Sequence, residues 1–247
     1  MIQIKGKNYI RVMTDKTPMK FFHIICMIYI SSMLSVNFLT LRLMPIAIPF
    51  TDLVFPIGGG VLLFPIGFLL QDITTEVYGY ARSRQLMWLG IIAMALSVTY
   101  SSIIIHQPYL PEWTQNHNAF IGAFGNLPTH TFGNIMGLIT GSIVNDYILS
   151  KSKIKLDGNL FALRCISATL IGDLSYQLVS YLIAWTGEMS MTKSILPFFI
   201  FALLYKITFN IVTLPISYIT VEYLKKKENI DIYDTKTNFN PFKFTIT

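Results

Sequence analysis

The sequence predicts an all-α, polytopic membrane protein with six transmembrane helices in one bundle. Hydrophobic residues make up 53% of the 247 residues, and only 13% are charged. The charged residues cluster between long apolar runs, and a membrane-crossing helix needs about 20 predominantly apolar residues. Six segments meet this requirement, at approximately 20–40, 59–80, 85–106, 129–150, 160–186 and 194–224.

The placement of lysine and arginine predicts the orientation. Sixteen of these residues lie before the first segment, after the second, after the fourth or after the sixth, if the one that opens the fifth segment is counted with those after the fourth. In a six-helix chain all of these positions are on the same side of the membrane. The opposite side has only Arg42 and Lys193, and Lys206 lies inside the sixth segment. By the positive-inside rule both termini are cytoplasmic and the number of spans is even. The chain then divides into a cytoplasmic N-terminal segment (1–19), a six-helix transmembrane domain (20–224) and a cytoplasmic polar tail (225–247).

The connecting segments are less regular. The first apolar run is too long for the core of a signal peptide, so a retained helix is expected. The stretch 45–58, "PIAIPFTDLVFPIG", is broken by three prolines and predicts a loop or a short interfacial helix. Residues 106–128 predict a loop with a short interfacial helix around 118–125. The polar tail after Lys227 is predicted to be disordered.

Several function classes find no support. The net charge is +6, but the basic residues do not share one face, so nucleic acid is not an expected partner. Cys26 and Cys165 lie in apolar runs and define neither a disulfide framework nor a metal spacing. The four histidines lack further convergent ligands, so no metal or other cofactor is expected. No phosphate-binding loop is present in the sequence, so the chain itself is not expected to hydrolyse nucleotide, and no catalytic residues are predicted.

Three predicted helices carry ionisable or amide residues where lipid-facing side chains should be apolar. The pairs are Asp72 with Glu76, Asp173 with Gln177, and Lys206 with Asn210. Each pair is spaced four residues apart, so its members share one helix face. A charge near the centre of a span costs about 2.5–3.5 kcal/mol on insertion scales. The three polar stripes are therefore expected to face one another around a wet cavity, where an acid and Lys206 could neutralise each other.

A structural role for these residues stays open. Buried ion pairs can hold helices together, and Asp72 and Glu76 could simply reach the cytoplasmic interface. Gln177 and Asn210 could form only interhelical hydrogen bonds. Asn37 in the first segment could likewise line a cavity or only pack.

The fourth segment has a face of small residues. Gly133, Gly137 and Gly141 recur every four residues, a spacing typical of closely packed helices. The sequence leaves open whether this face packs inside the chain or joins two copies in a homo-oligomer.

The stretch "FPIGFLLQDITTEVYGYARSRQLMWLG" resembles the signature segment of the queuosine precursor transporter family, which is also described as vitamin-uptake-transporter-like. The matching positions are Phe64, Pro65, Asp72, Glu76, Tyr78, Gly79, Arg82, Arg84 and Trp88. Further similarity extends over most of the chain, with Asn37, Arg42, Asp146, Lys206 and Pro215 at family-like positions. Two positions depart from the usual pattern: His130 stands where many relatives have arginine, and Tyr176 stands where many have aspartate.

The resemblance implies six helices in the bacterial cytoplasmic (inner) membrane and uptake of small deazapurines, such as 7-cyano-7-deazaguanine, its aminomethyl relative or queuine. A carboxylate can accept the N1–H and exocyclic amine of such a ring, amide or ammonium groups can donate to its carbonyl, and aromatic rings can stack on it. The residues expected to bind substrate are Asp72, Glu76, Asp173, Lys206, Asn37, Gln177, Asn210 and Tyr176. The energy source, facilitated or ion-coupled, stays open.

Three other functions are compatible with parts of the sequence. A substrate-binding subunit of an ATP-driven modular vitamin importer would also be a small six-helix membrane protein, but it would need ATPase partners. An integral-membrane enzyme acting on lipid or nucleoside would need a nucleophile, a metal or a pair of acids at the interface, and it would show catalytic turnover. A structural scaffold would use the glycine face, but it would leave the buried charges without a purpose.

Overall fold

The computed structural model describes residues 2–4, 7–9, 19–47, 54–184 and 196–243. Seven α-helices lie within these ranges, together with a 3₁₀ turn at Pro111–Trp113 and two short antiparallel hairpins. The helices are α1 (Phe22–Leu39), α2 (Gly60–Tyr78), α3 (Tyr80–Ile105), α4 (Thr114–Phe124), α5 (Leu127–Lys155), α6 (Phe161–Ala184) and α7 (Leu196–Glu228). The strands are β1 (Ile2–Ile4), β2 (Lys7–Tyr9), β3 (Leu43–Ala47) and β4 (Val54–Gly58).

All six predicted long helices are present. Four of them match to within a few residues, whereas α3 begins five residues earlier than predicted and α5 ends five residues later. By length and apolar composition, five of the described helices can cross a membrane: α1, α2, α3, α6 and α7. α5 is 29 residues long but is more polar, and eight of its polar or charged residues are buried inside the bundle.

The outer faces of the long helices are apolar. Val212 and Ile219 on α7 and Met27 on α1 each expose about two thirds of their surface. The charged side chains of α2, by contrast, are buried. A helix bundle that is apolar outside and charged inside is suited to hydrocarbon rather than to water.

The segment predicted as a loop or interfacial helix forms strands instead. Leu43–Ala47 pairs with Val54–Gly58, and Pro45 lies opposite Pro56 in the register. Proline blocks a helix interior, but it is tolerated in a two-stranded ribbon because each strand has a free edge. Residues 48–53, including Asp52, lie outside the described residues, as does Lys193.

The helix predicted around 118–125 is present as α4, which begins four residues earlier and follows the 3₁₀ turn. Its side chains are largely exposed.

The glycine face of the fourth predicted segment packs inside the chain. A Cβ at Gly133, Gly137 or Gly141 would come within about 3 Å of atoms of α6, including the carbonyl oxygens of Tyr176 and Ser180. The glycines thus allow α5 and α6 to approach closely. Of the two arrangements that the sequence left open, the structure shows the internal one, and a homo-oligomer stays an expectation.

The tail predicted to be disordered is ordered over residues 229–243. Ile230 and Ile232 are buried, and the Ile232 amide donates to the Val77 carbonyl at the end of α2. An Asp234 carboxylate oxygen accepts the backbone N–H of Tyr80 at 3.0 Å, which caps the start of α3. The tail therefore packs against the bundle end at which α2 meets α3.

The start of α1 and the end of α7 lie at the same end of the bundle. The Phe21 amide donates to a Glu228 carboxylate oxygen at 2.7 Å. This proximity agrees with an even number of crossings between them.

Gly79 between α2 and α3 should not tolerate a side chain. Its φ of 82° and ψ of 172° lie in a region that is essentially restricted to glycine. A Cβ there would meet Ile232 Cγ2 at 2.7 Å and Asp234 Oδ1 at 2.9 Å. We expect Gly79→Ala to destabilise the protein by about 1–3 kcal/mol from the backbone conformation alone, measurable as a lower melting temperature in detergent.

The matched control for that substitution is Gly122→Ala in α4, where a Cβ meets nothing within 4 Å. Alanine is favoured over glycine in a helix interior by about 1 kcal/mol, so this variant should be neutral or slightly stabilised. Equal melting temperatures for the two variants would contradict the strain assigned to Gly79.

Candidate functional site

Asp173 on α6 and Lys206 on α7 form an ion pair in the interior. The Lys206 Nζ lies 3.2 Å from Asp173 Oδ1, and both side chains are only 3% exposed. The predicted neutralisation of Lys206 by an acid is confirmed, and the acid is Asp173. An isolated charge at this depth would be strongly unfavourable, so each group needs the other or a ligand.

Two aromatic rings contact the Lys206 ammonium group. Its Nζ lies 4.0 Å from the Phe64 ring centroid and 4.6 Å from that of Tyr176. The centroids of these two rings are 4.2 Å apart, with an angle of 40° between their planes. The cation–π contacts hold the ammonium group against α2 and α6.

The ion pair borders a small hollow, which we call the central pocket. Its lining comes from α1, α2, α5, α6 and α7, and comprises Val36, Thr40, Gly60, Val61, Phe64, Asn134, Tyr176, Tyr181, Phe198 and Lys206. The cavity measures only about 20 Å³, which is enough for about one water molecule. The described conformation is therefore closed around the pair.

A network of amide and hydroxyl groups surrounds two residues of the pocket lining, Asn134 and Tyr176. Asn37 Oδ1 accepts from Thr131 Oγ1 at 3.1 Å and from Asn134 Nδ2 at 3.4 Å. Asn134 Oδ1 in turn accepts from the Tyr176 hydroxyl at 2.9 Å and from Ser180 Oγ at 3.3 Å. This network links α1, α5 and α6 and orients the Tyr176 ring.

Gln177 and Asn210 differ in their surroundings. Gln177 is fully buried on α6, and neither its amide nitrogen nor its oxygen has a hydrogen-bond partner among the described residues. Asn210 on α7 is half-buried and does not line the central pocket. Gln177 thus lies one helical turn after Asp173 on α6, on the same helix face, whereas Asn210 lies outside the lining of the pocket.

Asp72 has its own set of partners away from the central pocket. Its carboxylate accepts from Asn145 Nδ2 at 2.6 Å, from Thr169 Oγ1 at 2.9 Å and from Cys165 Sγ at 3.1 Å. These bonds tie α2 to α5 and α6. Asp72 therefore sits between helices rather than on the lining of the pocket.

Glu76 lies one turn further along α2, at the centre of an ion cluster. Arg164 donates to both of its carboxylate oxygens, at 2.8 and 3.3 Å. Lys225 lies 2.8 Å and Lys153 3.7 Å from Glu76 Oε1, and Asp231 accepts from both lysines. We call these five residues the Glu76 cluster; it holds three cations and two carboxylates.

Five of the six residues of the predicted polar stripes are buried, all except Asn210, but they do not share one cavity. Of the predicted site residues, Tyr176 and Lys206 line the central pocket. Asp173 pairs with Lys206, and Asn37 accepts a hydrogen bond from the pocket-lining Asn134. Gln177 lies one helical turn after Asp173 on α6. Asp72 and Glu76 form two further polar layers along α2. The expectation that all three stripes surround a single wet cavity is corrected by this layering.

Sequence reasoning missed several buried polar residues next to Asp72 and Glu76. Asp146 accepts from Gln71 Nε2 and Thr75 Oγ1, both at 2.9 Å, and Ser142 donates to Gln71 Oε1 at 3.0 Å. The sequence did contain a pattern that indicated these residues. Gln71 and Thr75 are four residues apart, as Asp72 and Glu76 are, so they also share one face of α2.

Sequence reasoning also did not predict that three basic residues lie in the interior: Lys153, Arg164 and Lys225. The positive-inside rule treats such residues only as markers of the cytoplasmic side. The side chains of Lys153 and Arg164 are at most 2% exposed. Their position next to an apolar segment gave no sign of this burial.

A larger hollow lies elsewhere. It is an open groove of about 710 Å³ between α3 and α5, lined mainly by apolar residues with His106 and Gln107 at its edge. None of its lining residues is a carboxylate or a lysine. Its chemistry is that of a lipid-facing surface rather than of a polar binding site.

These features define the class of protein. A bundle with several apolar membrane-length helices, lipid-compatible outer faces and inward-facing charges is a multi-pass integral membrane protein. Within that class, the sequence profile described as "Putative vitamin uptake transporter" matches residues 58–220. The chain belongs to this transporter family.

A relative and the solved structures give further comparisons. The chain is 23% identical over 171 residues to the "Probable queuosine precursor transporter" of Bacillus subtilis (strain 168). The similarity covers 68% of this chain and 73% of the relative. No solved structure matches the chain significantly.

Proposed function

We propose that the chain imports a queuosine precursor, a 7-deazaguanine-type base, across the bacterial inner membrane. The observation that carries the proposal is the buried Asp173–Lys206 pair under two aromatic rings, at a pocket shared by five helices. The transporter family and the named relative support the same reading.

The groups at the central pocket fit such a base. Asp173 can accept the N1–H and exocyclic amine together, and Lys206 can donate to the ring carbonyl. Phe64 and Tyr176 offer faces for stacking. Each member of the ion pair thus has a complementary group on the substrate, so the substrate can replace the bond that the two side chains make with each other.

The pocket must open before a base can bind. Ligand pockets are typically about 300–1,000 Å³, whereas the central pocket in this conformation measures about 20 Å³. We assign the described conformation to a closed, substrate-free step of the transport cycle. In that step the Asp173–Lys206 bond neutralises both charges while no substrate is present.

We further propose that α5 is the sixth span and that both termini are cytoplasmic. α5 is long enough and runs between α3 and α6, and its polar residues bond to other helices rather than face lipid. The Glu76 cluster, Lys20 and the packed tail lie at the end of the bundle where the lysines and arginines concentrate. On this assignment Asp72 and Glu76 act below the pocket and hold its helices in place.

Reconstitution of the purified chain alone into liposomes tests the function. We expect saturable uptake of radiolabelled 7-cyano-7-deazaguanine above protein-free liposomes, with the label recovered unchanged. In a host that cannot synthesise queuosine, expression should restore queuosine in tRNA when the same base is supplied. Uptake with and without an imposed pH gradient distinguishes ion-coupled from facilitated movement.

Other results would point to other functions. Binding without uptake would favour a subunit of an ATP-driven importer, and chemical conversion of the label would favour an enzyme. If 7-cyano-7-deazaguanine, its aminomethyl relative and queuine are neither bound nor transported, the proposal is wrong.

A further inference from the structure

Gln177 has a carboxamide that the fold leaves unused. The residue is fully buried, and both its Oε1 and its Nε2 lack a hydrogen-bond partner among the described residues. Leaving buried polar groups unpaired is unfavourable, and such groups are rare in native proteins. Gln71, equally buried on α2, shows the usual outcome, because Ser142 donates to its oxygen and its nitrogen donates to Asp146.

The position of Gln177 on α6 places it beside the central pocket. Asp173, which pairs with Lys206, lies one turn before it, and Tyr181, which lines the pocket, lies one turn after it. Residues four apart share a helix face and lie about 5–6 Å from each other. The unused carboxamide therefore belongs to the same face as the acid and the pocket-lining ring.

We infer that Gln177 is a specificity-determining residue that pairs with a ring edge of the substrate carrying an N–H beside an acceptor. A carboxamide offers one donor and one acceptor side by side, so it forms two hydrogen bonds with such an edge, as glutamine does with adenine in DNA. The inference rests on the proposed function, because it assigns a role at the same pocket.

The substrate chemistry identifies the edge. In the proposed function Asp173 takes the N1–H and the exocyclic amine. The neighbouring edge of a 7-deazaguanine carries the N9–H donor beside the N3 acceptor. We assign this edge to Gln177, which is the next polar residue after Asp173 on the same helix face. Gln177 then accepts from N9–H and donates to N3. A nucleoside has a sugar at N9 and lacks that hydrogen, so the pocket should select the free base over the nucleoside.

The test combines one substitution with one change in the ligand. The variants are Gln177→Met and, as a second apolar replacement, Gln177→Leu. The probes are 7-cyano-7-deazaguanine and its N9-methyl derivative, and binding is measured by titration of detergent-purified protein. We expect the wild type to prefer the unmethylated base by at least about tenfold. The variants should bind that base at least about tenfold more weakly and should not distinguish the two probes.

The stability of the ligand-free protein provides an independent readout. Replacing an unpaired buried amide with an apolar side chain of similar size removes a desolvation penalty. Gln177→Met should therefore melt at the same or a higher temperature than the wild type without ligand. Gln71→Met is the matched control, and it should melt lower because it removes one of the hydrogen bonds to Asp146 and the acceptor of Ser142 Oγ.

Three outcomes would overturn the inference. Gln177→Met could bind both probes as the wild type does, it could keep the wild-type preference between them, or it could melt lower than the wild type with unchanged affinities. Failure of the proposed function gives a different pattern, in which the wild type binds neither probe. In that case guanine, lumazine and uracil are titrated instead. Binding of one of them that is lost in Gln177→Met supports the role of Gln177, and binding of none overturns it.

Discussion

Replacing Glu76 with glutamine should destabilise the protein by about 3–5 kcal/mol, because it removes the central anion of a buried ion cluster. Arg164 and Lys153 are almost fully buried, and Lys225 is 12% exposed. Without Glu76, Asp231 would be the one carboxylate left in the Glu76 cluster to balance three cations. Uncompensated charge in a water-poor interior is among the most unfavourable changes that a single substitution can make.

The measurement is the apparent melting temperature of the detergent-purified protein. A loss of this size corresponds to a decrease of roughly 10 °C for a chain of this length. Glutamine keeps the shape of the side chain, so the effect reports charge rather than packing.

Glu222→Gln is the matched control for that substitution. Glu222 is 40% exposed and lies 3.7 Å from Lys226 on the surface of α7. An exposed pair of this kind contributes little, so the control should change stability by less than about 1 kcal/mol. A Glu76→Gln protein as stable as this control would mean that water or other groups already compensate the cluster.

Breaking the Asp173–Lys206 pair should abolish transport, and restoring its charge balance should not bring transport back. Asp173→Asn and Lys206→Met each leave one buried charge unpaired, so each should destabilise the protein by about 3–5 kcal/mol. Each also removes a proposed contact with the substrate, and we expect uptake in liposomes to fall at least about 100-fold.

The double variant separates structure from function. With both charges removed, the interior is neutral again, so the double variant should recover much of the stability that each single variant loses to an unpaired buried charge. Uptake should stay as low as in the single variants, because the base then meets neither a carboxylate that accepts two hydrogen bonds nor an ammonium donor. A double variant that transports like the wild type would show that the pair only holds α6 to α7.

Glu112→Gln and Lys155→Met are the charge-matched controls for this series. Both residues are exposed. They change the net charge by the same amounts as the two test substitutions, and uptake and melting temperature should stay at wild-type values.

The six long helices could be read from the sequence because a membrane span is a property of one continuous segment. About 20 apolar residues bounded by charged ones specify a span wherever the segment lies in the bundle. The same local reasoning identified Asp173 and Lys206 as buried, because an ion inside an apolar run must find a partner.

The partners of the other buried groups could not be predicted in this way. Glu76 is contacted by residues from three distant segments, at positions 153, 164 and 225. The basic residues that mark the cytoplasmic side look alike in sequence whether they reach water or turn inward. Which of them turn inward depends on the rotation of α5, α6 and α7 about their axes, and hydropathy carries no information about that rotation.

The ordered tail and the hairpin failed for a related reason. Residues 229–243 are polar on average, and the two buried isoleucines, of which Ile232 lies against Gly79, are too few to raise the local hydropathy. The prolines of the segment 45–58 excluded a regular helix but did not indicate which strand would pair with which. The docking of the tail and the pairing of the two strands depend on the surfaces that the rest of the folded chain provides.

The sequence by itself determined the apolar spans, the charged residues that interrupt them and the presence of a small-residue face at Gly133, Gly137 and Gly141. Only the tertiary structure decided that Asp173, and not Asp72 or Glu76, pairs with Lys206, that the glycine face packs on α6, and that Gln177 has no hydrogen-bond partner within the described part of the chain. The physical reason is range. Burial in hydrocarbon depends on the composition of one segment, whereas the choice among several possible ion pairs depends on distances of a few ångströms between helices that are far apart in the chain.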